Sequence, residues 1–350
     1  MTIAWGEFWA FLVGNPLFCA TVLLTLGVIF VNGWTDAPNA IATCVSTRAM
    51  PVRPAIAMAA GMNLLGILGM TALNANVAQT LFTMVDFGRD SRAAVTALCA
   101  AMTAIVVWAV TAWVFGIPTS ESHALVAGIT GAAVAIHRGF EGVRADAWVK
   151  VLCGLALSAT LGFGLGVCFG RWLRRLVARL ERRSANARFR HGQVTAAALS
   201  AFMHGAQDGQ KFLGIFLLGA FLARGQGTAA VFTVPLWLML LCAAVMAAGT
   251  SVGGYRIIKR VGMGMVRLEA HEGFAADLAA VLCMLVASFG GLPVSTTHTK
   301  TTAILGVGAA RGLRQVNWAA AREMALAWVL TFPGCGLVGW ATALLFLRIF

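Results

Sequence analysis

Ten long apolar segments constrain what this chain can fold into more than any other feature of its sequence. They run over residues 17–47, 54–80, 93–115, 119–136, 148–170, 194–222, 229–250, 274–290, 295–311 and 322–347. A helix of about 20 residues crosses roughly 30 Å of bilayer hydrocarbon, whereas a strand of a membrane barrel needs only about 10 alternating residues. Charged residues make up 11% of the chain, against about 25% in soluble domains. The segments therefore predict an all-α integral membrane protein.

Two of these segments, 119–136 and 295–311, are short. Either they cross the membrane completely, or they form the second halves of re-entrant hairpins with the segments that precede them. The sequence leaves both arrangements open.

The basic residues are divided unequally between the two sides of the predicted bundle. Of the 26 Lys and Arg residues, seventeen lie in the central segment and in loops on its side, and seven lie on the other side. Because positive residues stay in the cytoplasm during insertion, we predict a multi-pass protein of the cell inner (cytoplasmic) membrane. The basic segment 171–193 is then cytoplasmic and contacts anionic membrane lipids. Few aromatic residues interrupt its arginines, so we expect no nucleic-acid partner.

Two polar motifs each occur twice inside the apolar segments. Residues 33–39 (Gly-Trp-Thr-Asp-Ala-Pro-Asn) match 205–211 (Gly-Ala-Gln-Asp-Gly-Gln-Lys), and residues 116–123 (Gly-Ile-Pro-Thr-Ser-Glu-Ser-His) match 291–298 (Gly-Leu-Pro-Val-Ser-Thr-Thr-His). The copies are 172 residues apart from Asp36 to Asp208, and 175 apart from Pro118 to Pro293. A nearly constant offset indicates an internal repeat.

This repeat predicts a first transmembrane half at residues 1–170, a basic connector at 171–193 and a second half at 194–350. Each half contains about five segments, and an odd number of crossings inverts the second half relative to the first. The predicted fold is two inverted repeats with interrupted helices and Ser/Thr-rich helical hairpins, an architecture that is typical of secondary transporters.

The first motif predicts a helix interruption near the membrane midplane. Gly33 tolerates non-helical dihedrals, and Pro38 suits the first turn of a new helix. Either Thr35 or Asp36 can cap that turn, and Asp36 shares a helical face with Asn39. The same interruption is predicted for the second copy, within 194–222. Free N–H groups at such a break favour anions and free carbonyls favour cations; the alternative is a kinked helix whose polar residues bond to neighbours.

The second copy has a lysine where the first has an asparagine. Lys211 corresponds to Asn39, and it lies three residues after Asp208. We expect its fixed positive charge to neutralise the carboxylate, or to hold an anion, in place of a bound cation. A purely structural ion pair between Asp208 and Lys211 is the alternative.

The hairpin motifs place hydroxyl groups directly after a proline that ends a helix. Hydroxyl donors together with helix N–H groups suit an oxyanion with several acceptor oxygens, although N-capping of buried helices also explains them. The hydroxyl residues are Ser120, Ser122, Ser295, Thr296 and Thr297. Glu121 stands where the other copy has Thr296, and a carboxylate within the membrane is a candidate proton or cation carrier. We expect His123 and His298 to orient the loops.

These residues resemble those of the inorganic phosphate transporter (Pit) family of secondary carriers, in particular its bacterial members. The resemblance rests on residues 33–43, on 204–211, on both hairpin motifs and on 249–258 and 273–277, and it covers most of the chain from residue 20 onward. It implies symport of inorganic phosphate into the cell, driven by a proton or sodium gradient, and it implies that the protein is not an enzyme.

The resemblance also implies where the ligands bind. The predicted phosphate-binding residues are Asp36, Asn39, Ser120, Ser122, Asp208, Lys211, Ser295, Thr296 and Thr297. The coupling cation, H⁺ or Na⁺, is expected at Asp36, Asp208 and Glu121. No further cofactor is expected, and phosphate enters either alone or as a metal complex.

Several alternatives stay open at the level of the sequence. Sodium-coupled members commonly have Asn-Asp and a downstream Asn in both breaks, whereas this chain has Thr35-Asp36, Gln207-Asp208 and Lys211. That departure favours proton coupling. A permease for sulfate or another oxyanion on the same scaffold and an anion channel are the other functions considered, and a homodimer is among the possible assemblies. A membrane hydrolase is disfavoured because no Gly-x-Ser-x-Gly elbow occurs.

Overall fold

The computed structural model describes residues 3–117, 119–178, 180, 182–225, 232–252 and 254–350. In this part of the chain the regular elements are α-helices and one short 3₁₀ helix. The helices are α1 (Trp5–Gly14), α2 (Pro16–Thr35), α3 (Pro38–Ser46), α4 (Val52–Leu73), α5 (Asn76–Phe82), α6 (Ser91–Val114), α7 (Glu121–His137), α8 (Ala145–Val177), α9 (Arg182–Ala223), α10 (Leu236–Val252), α11 (Tyr255–Met263), α12 (Ala270–Phe289), α13 (Thr296–Arg311) and α14 (Trp318–Ile349). Each of the ten predicted segments overlaps at least one helix, so the all-α prediction is confirmed.

Among the described residues, six helical stretches are long and apolar enough to cross a membrane. They are Pro16–Ser46, which comprises α2 and α3, and Val52–Leu73, Ser91–Val114, Ala145–Val177, Ala270–Phe289 and Trp318–Ile349. The apolar helix α10 is shorter, and α9 is long but carries many polar residues. The helix α1, at the start of the chain, lies outside the ten predicted segments.

The short helices α7 and α13 are return arms of hairpins. The ring Nε2 of His137, at the end of α7, lies 2.8 Å from the carbonyl oxygen of Asp86, which precedes α6. Arg311, at the end of α13, donates to the carbonyl oxygen of Arg267 and to Glu272 at the start of α12. Each hairpin therefore ends on the side where it begins. Pro118, which the sequence predicts to end the first arm of this hairpin, lies outside the described residues.

One end of the bundle is formed by the connector and its neighbours, and we call it the connector side. Arg190 in the connector donates to the carbonyl oxygen of Ala49, which follows α3, at 3.0 Å. The ring of Phe189 lies 6.0 Å from that of Phe274 in α12. Residues 179 and 181 of the connector lie outside the described residues. The largest apolar cluster, which includes Phe8, Phe18 and residues of α5–α7, fills the opposite end.

The predicted interruption is present in the first copy of the motif. Helix α2 ends at Thr35 and α3 begins at Pro38. Pro38 has no N–H to donate, and the N–H of Ala37 bonds to the carbonyl oxygen of Asn32 at 3.2 Å, one residue beyond the usual α-helical partner. The prediction that Thr35 or Asp36 caps the new helix is wrong. Ala37 occupies the N-cap position of α3, and its side chain makes no capping hydrogen bond.

Gly33 has a different role from the one predicted for it. It lies within α2, where a Cβ atom would come within 2.2 Å of the carbonyl oxygen of Met246 in α10. The glycine therefore permits close packing between α2 and α10, and the proline alone accounts for the interruption.

The second copy contradicts the prediction of an interrupted helix, because α9 is continuous from Arg182 to Ala223. The residue at the position of Pro38 is Gln210, whose backbone N–H can continue the helix. Its side chain donates to the carbonyl oxygen of Asn74 at 2.7 Å and accepts from the N–H of Val77 at 3.2 Å. Gln210 thus ties α9 to the junction between α4 and α5.

Candidate functional site

The two repeated aspartates lie close together at the centre of the bundle. The hydroxyl of Thr296 is 3.3 Å from Oδ2 of Asp36 and 3.3 Å from Oδ2 of Asp208. Only 2% of Asp36 and 1% of Asp208 is exposed. A single hydroxyl at the start of α13 therefore joins two carboxylates that are 172 residues apart in the sequence.

Neutral donors surround the carboxylate of Asp36. The side-chain amide of Asn39 donates to Oδ1 at 2.7 Å, as their shared helical face predicts, and the hydroxyl of Thr297 bonds to the same oxygen. The Asn39 amide also lies 3.2 Å from the hydroxyl oxygen of Thr297. The interruption between α2 and α3 thus brings this carboxylate against the first turn of α13.

A buried ion pair holds the carboxylate of Asp208. The ammonium of Lys211 donates to Oδ1 of Asp208, to the hydroxyl of Ser122 and to the carbonyl oxygen of Val294, each at 2.6 Å. The other carboxylate oxygen lies 3.2 Å from the Asn32 amide and 3.3 Å from Nε2 of His204. Lys211 is 1% exposed, and its three oxygen partners lie in α9, in α7 and in the turn before α13.

Two helix N-termini meet beside this pair. Ser120 and Ser295 are the N-cap residues of α7 and α13, and their side chains accept the backbone N–H groups of His123 and His298. The two hydroxyl oxygens are 2.8 Å apart. The capping role, which the sequence left open, is therefore present, and it directs two positive helix ends at one point.

Glu121 adds a third buried carboxylate. Its Oε1 accepts a hydrogen bond from Thr35 at 2.9 Å, and its Oε2 has no hydrogen-bond partner among the described residues. With Asp36 and Asp208, the site holds three carboxylates and one lysine. Buried charge is costly unless it is compensated, so this arrangement can accept cations as well as an anion.

One group of side chains here has the spacing of a cation site. Ligand atoms of Asp36, His204 and Asp208 all lie within 4.8 Å of one another. Two amide oxygens nearby, those of Asn32 and Asn39, are buried without a hydrogen-bond partner among the described residues. Carboxylate and amide oxygens are the donors that hard cations prefer.

All nine predicted phosphate-binding residues are buried in this region. Seven form a continuous chain of polar contacts: Asn39, Thr297, Asp36, Thr296, Asp208, Lys211 and Ser122. Ser120 and Ser295 contact each other, and Glu121 is joined to the chain through Thr35, the neighbour of Asp36.

The two histidines of the hairpin motifs lie behind the capping serines. Their ring centroids are 4.4 Å apart. Nδ1 of His123 lies 3.2 Å from the carbonyl oxygen of Trp328 in α14, and the ring of His298 lies 3.7 Å from the ring of the same tryptophan. These contacts fit the predicted role of orienting the hairpins.

Sequence reasoning missed two members of the site, Asn32 and His204. Each lies four residues before an aspartate on the same helix face, and the two are themselves 172 residues apart. That spacing was the available signal. Neither residue stands out in the sequence, because a single amide or imidazole in an apolar helix is usually a packing residue with a local partner.

Comparisons with known proteins find relatives along almost the whole chain. The profile of the "Phosphate transporter family" matches residues 32–339. A protein of Bacillus subtilis (strain 168), described as "Probable low-affinity inorganic phosphate transporter", is 35% identical over 312 residues, which are 89% of this chain and 92% of that protein. A protein of Rhizobium meliloti (strain 1021) with the same description is 36% identical over 325 residues, or 92% of this chain and 94% of that protein.

One solved structure shares the fold. It is described as "The sodium-dependent phosphate transporter", and it superposes with a TM-score of 0.84 over 96% of this chain and 100% of its own, at 22% sequence identity.

Proposed function

The chain belongs to the phosphate transporter family, a family of transport proteins rather than enzymes, and from this premise we propose that it carries inorganic phosphate into the cell by symport with a cation. The observation that carries the proposal is the meeting of two capped helix N-termini, with serine hydroxyls 2.8 Å apart, beside a buried lysine. The relatives described as phosphate transporters support the choice of anion.

The donors at this point suit a small oxyanion. The first turns of α7 and α13 offer backbone N–H groups that have no partner inside their own helices. Ser122, Thr296 and Thr297 add hydroxyls, and Lys211 adds a fixed positive charge. Phosphate has four oxygens that accept such bonds, and hydrogen bonds to a charged acceptor are about twice as strong as neutral ones.

Electrostatics favours symport over entry of the anion alone. Three carboxylates, Asp36, Asp208 and Glu121, face one Lys211 in a buried site. Adding an anion increases the uncompensated negative charge, which is costly in a low-dielectric interior. A proton or Na⁺ that enters with phosphate offsets this charge, and the proposed positions for it are these carboxylates.

The proposed transport cycle uses the two halves, residues 1–170 and 194–350, as inverted repeats that rock against each other around the fixed site. The connector at 171–193 faces the cytoplasm, in agreement with the excess of basic residues on that side. Coupling requires that the cation and phosphate both stabilise the same closed state. Phosphate enters either alone or as a metal complex, with Asp36, His204 and Asp208 as the candidate metal ligands.

Uptake of labelled phosphate by reconstituted vesicles tests this function. A proton gradient and a sodium gradient are imposed separately, and sulfate is added as a competitor. We expect one gradient to drive phosphate above its external concentration, with sulfate competing weakly. If neither gradient accelerates entry, the symport proposal is wrong.

The same assay separates the alternative functions. An anion channel conducts phosphate but does not concentrate it against its gradient. A sulfate permease is blocked by sulfate at concentrations well below those at which phosphate saturates. The buried position of all nine phosphate-binding residues favours a carrier, because a channel needs a continuous water-filled path.

A further inference from the structure

A second buried charged cluster lies on the connector side of the site described above. It contains the ion pair between Asp277 in α12 and Lys300 in α13. The hydroxyl of Thr43 lies 2.8 Å and 2.9 Å from the two carboxylate oxygens of Asp277, and the amide of Gln193 donates to one of them at 2.7 Å. Asp277 is 0% exposed and Lys300 is 2% exposed. The proposed function uses neither residue.

This cluster lies one helical turn from the central site on three helices at once. On each helix a residue of the central site and a residue next to the second cluster are four positions apart, so they share a face. The pairs are Asn39 and Thr43 on α3, Thr296 and Lys300 on α13, and His204 and Ser200 on α9. The ammonium of Lys300 contacts the carbonyl oxygen of Ala40 at 3.0 Å and lies 3.5 Å from the Ser200 hydroxyl.

On three of the helices, the residues one turn away from the central site on the other side are apolar. Four residues away from the central site on the other side, α2, α7 and α9 carry Val28, Leu125 and Phe212, all of which are buried in the largest apolar cluster. An anion that leaves the central site toward the connector therefore meets hydroxyls and a lysine, whereas the next turn of α2, α7 and α9 in the opposite direction offers it apolar side chains.

We propose that this second cluster, Thr43, Gln193, Asp277 and Lys300, is a second binding station for the transported oxyanion on its way to the connector side. The Asp277 carboxylate already receives what a phosphate group accepts: an ammonium, a hydroxyl and an amide N–H, from three different helices. In this structure the Asp277 carboxylate occupies the second binding station. The station binds phosphate when the Lys300 ammonium moves from this carboxylate to the phosphate.

One further atom fits this role. Oε1 of Gln193, whose amide N–H binds Asp277, is buried and has no hydrogen-bond partner among the described residues. This oxygen can accept a hydrogen bond from a protonated phosphate oxygen. The cation that enters with phosphate balances Asp277 while Lys300 is engaged. This inference rests on the proposed function, because it concerns the same transported anion.

The competing explanation is a structural clamp that only holds α3, α9, α12 and α13 together. A single neutral variant does not distinguish the clamp from the binding station, because removing either charge leaves the other buried and uncompensated and destabilises the fold. The decisive variant is the neutral pair Asp277→Asn/Lys300→Met, because neutral replacement of a whole buried pair is often tolerated. The test compares its thermal unfolding midpoint, the shift of that midpoint by inorganic phosphate, and net phosphate uptake by vesicles.

We expect the neutral pair to fold and to keep the phosphate-induced shift of the wild type, because the central site is intact. Net uptake is expected to be about ten-fold slower or more, as for the loss of bonds to a charged group. Uptake within about two-fold of the wild type would show a clamp and overturn the station. If the wild type itself does not concentrate phosphate, both the proposed function and the station fail.

A second variant keeps the test decisive if the neutral pair does not fold. Thr43→Val removes one hydroxyl from Asp277 and leaves the ion pair in place. Its control is Thr160→Val, because the exposed Thr160 bonds only to the carbonyl oxygen of Ala156 within its own helix. Slower uptake by the first variant alone, with an unchanged phosphate-induced shift, supports the station; equal uptake by both variants overturns it.

Discussion

The two copies of the aspartate motif have the same place in the repeat but different structures. At Asp36 the helix is interrupted, and the described side chains that donate to the carboxylate are the neutral Asn39, Thr296 and Thr297. At Asp208 the helix is continuous, and Lys211 pairs with the carboxylate. Among the described residues, no lysine or arginine pairs with the first carboxylate, whereas the second carboxylate pairs with Lys211. The comparison teaches that internal sequence repeats need not conserve the electrostatics of a site.

Two substitutions within the repeat account for this difference. Pro38 corresponds to Gln210, so that only the first copy lacks the N–H that would continue the helix. Asn39 corresponds to Lys211, so that only the second copy carries its own cation. Under the proposed function, the exchangeable coupling cation then belongs to the side of the site near Asp36 and Glu121.

The largest expected effect comes from neutralising either aspartate. Asp36→Asn and Asp208→Asn should each abolish phosphate uptake while the protein still inserts. Only Asp208→Asn leaves Lys211 buried without its partner, which costs about 3–5 kcal/mol of stability. Uptake by vesicles and thermal unfolding in detergent measure the two effects, with the exposed Asp146→Asn as control.

Full transport by either variant removes that carboxylate from the mechanism. Equal losses of stability in the two variants contradict the difference between a neutral and a charged environment.

The next largest effect on uptake is expected for Lys211→Asn, which gives the second copy of the motif the residue that the first copy has at Asn39. In Lys211→Asn, Asp208 loses its tethered cation, so uptake should come to depend on added Na⁺ or another small cation. Uptake is measured as sodium replaces choline, with the exposed Lys150→Asn as control. If the variant is merely less stable and shows no dependence on cations, the pair is structural.

Glu121→Gln removes the third carboxylate and makes this position of the first hairpin motif neutral, as it is in the second motif, which has Thr296 there. Phosphate exchange across the membrane should persist, because the hydroxyls and N–H groups remain. Acceleration by the imposed gradient should fall about ten-fold, the effect of losing about 1.4 kcal/mol of coupling. The exposed Glu141→Gln is the control; unchanged coupling would exclude Glu121 from the cation path.

The smallest effect is expected for Pro38→Gln, which gives the first copy the residue of the second. The new N–H permits α2 and α3 to join, but Asp36 keeps its partners on α13, so stability should change by no more than about 1 kcal/mol. Uptake should fall only a few-fold, an effect of about the same size in free energy. Pro16→Gln, at the start of α2, is the control. Complete loss of uptake would make the interruption itself essential.

Local sequence patterns predicted much of this structure. The positions of the ten apolar segments, the helix start at Pro38 and the placement of Asp36 and Asn39 on one side follow from hydropathy, proline chemistry and helical spacing. The interruption predicted for α9 is absent. The repeat suggested it, but Gln210 stands where the first copy has Pro38, and a glutamine does not break a helix. The backbone of each residue responds to its own chemistry and not to that of its repeat partner.

Contacts between distant segments could not be predicted in the same way. Asn32 and His204 join the site only because α2 and α9 pack face to face around the aspartates. The partners of Lys211 come from both hairpins. Their identities depend on the depth and rotation of each helix, which no local pattern specifies.

The sequence by itself determined the membrane class, the segment order, the paired motifs and the residue types of the site, because these depend on hydrophobicity and on short spacings along one helix. Only the tertiary structure decided that Thr296 joins both aspartates, that two helix N-termini meet, and that Asp277 and Lys300 form a second cluster. The physical reason is that buried polar groups must find partners, and which partner each one finds depends on how the helices pack.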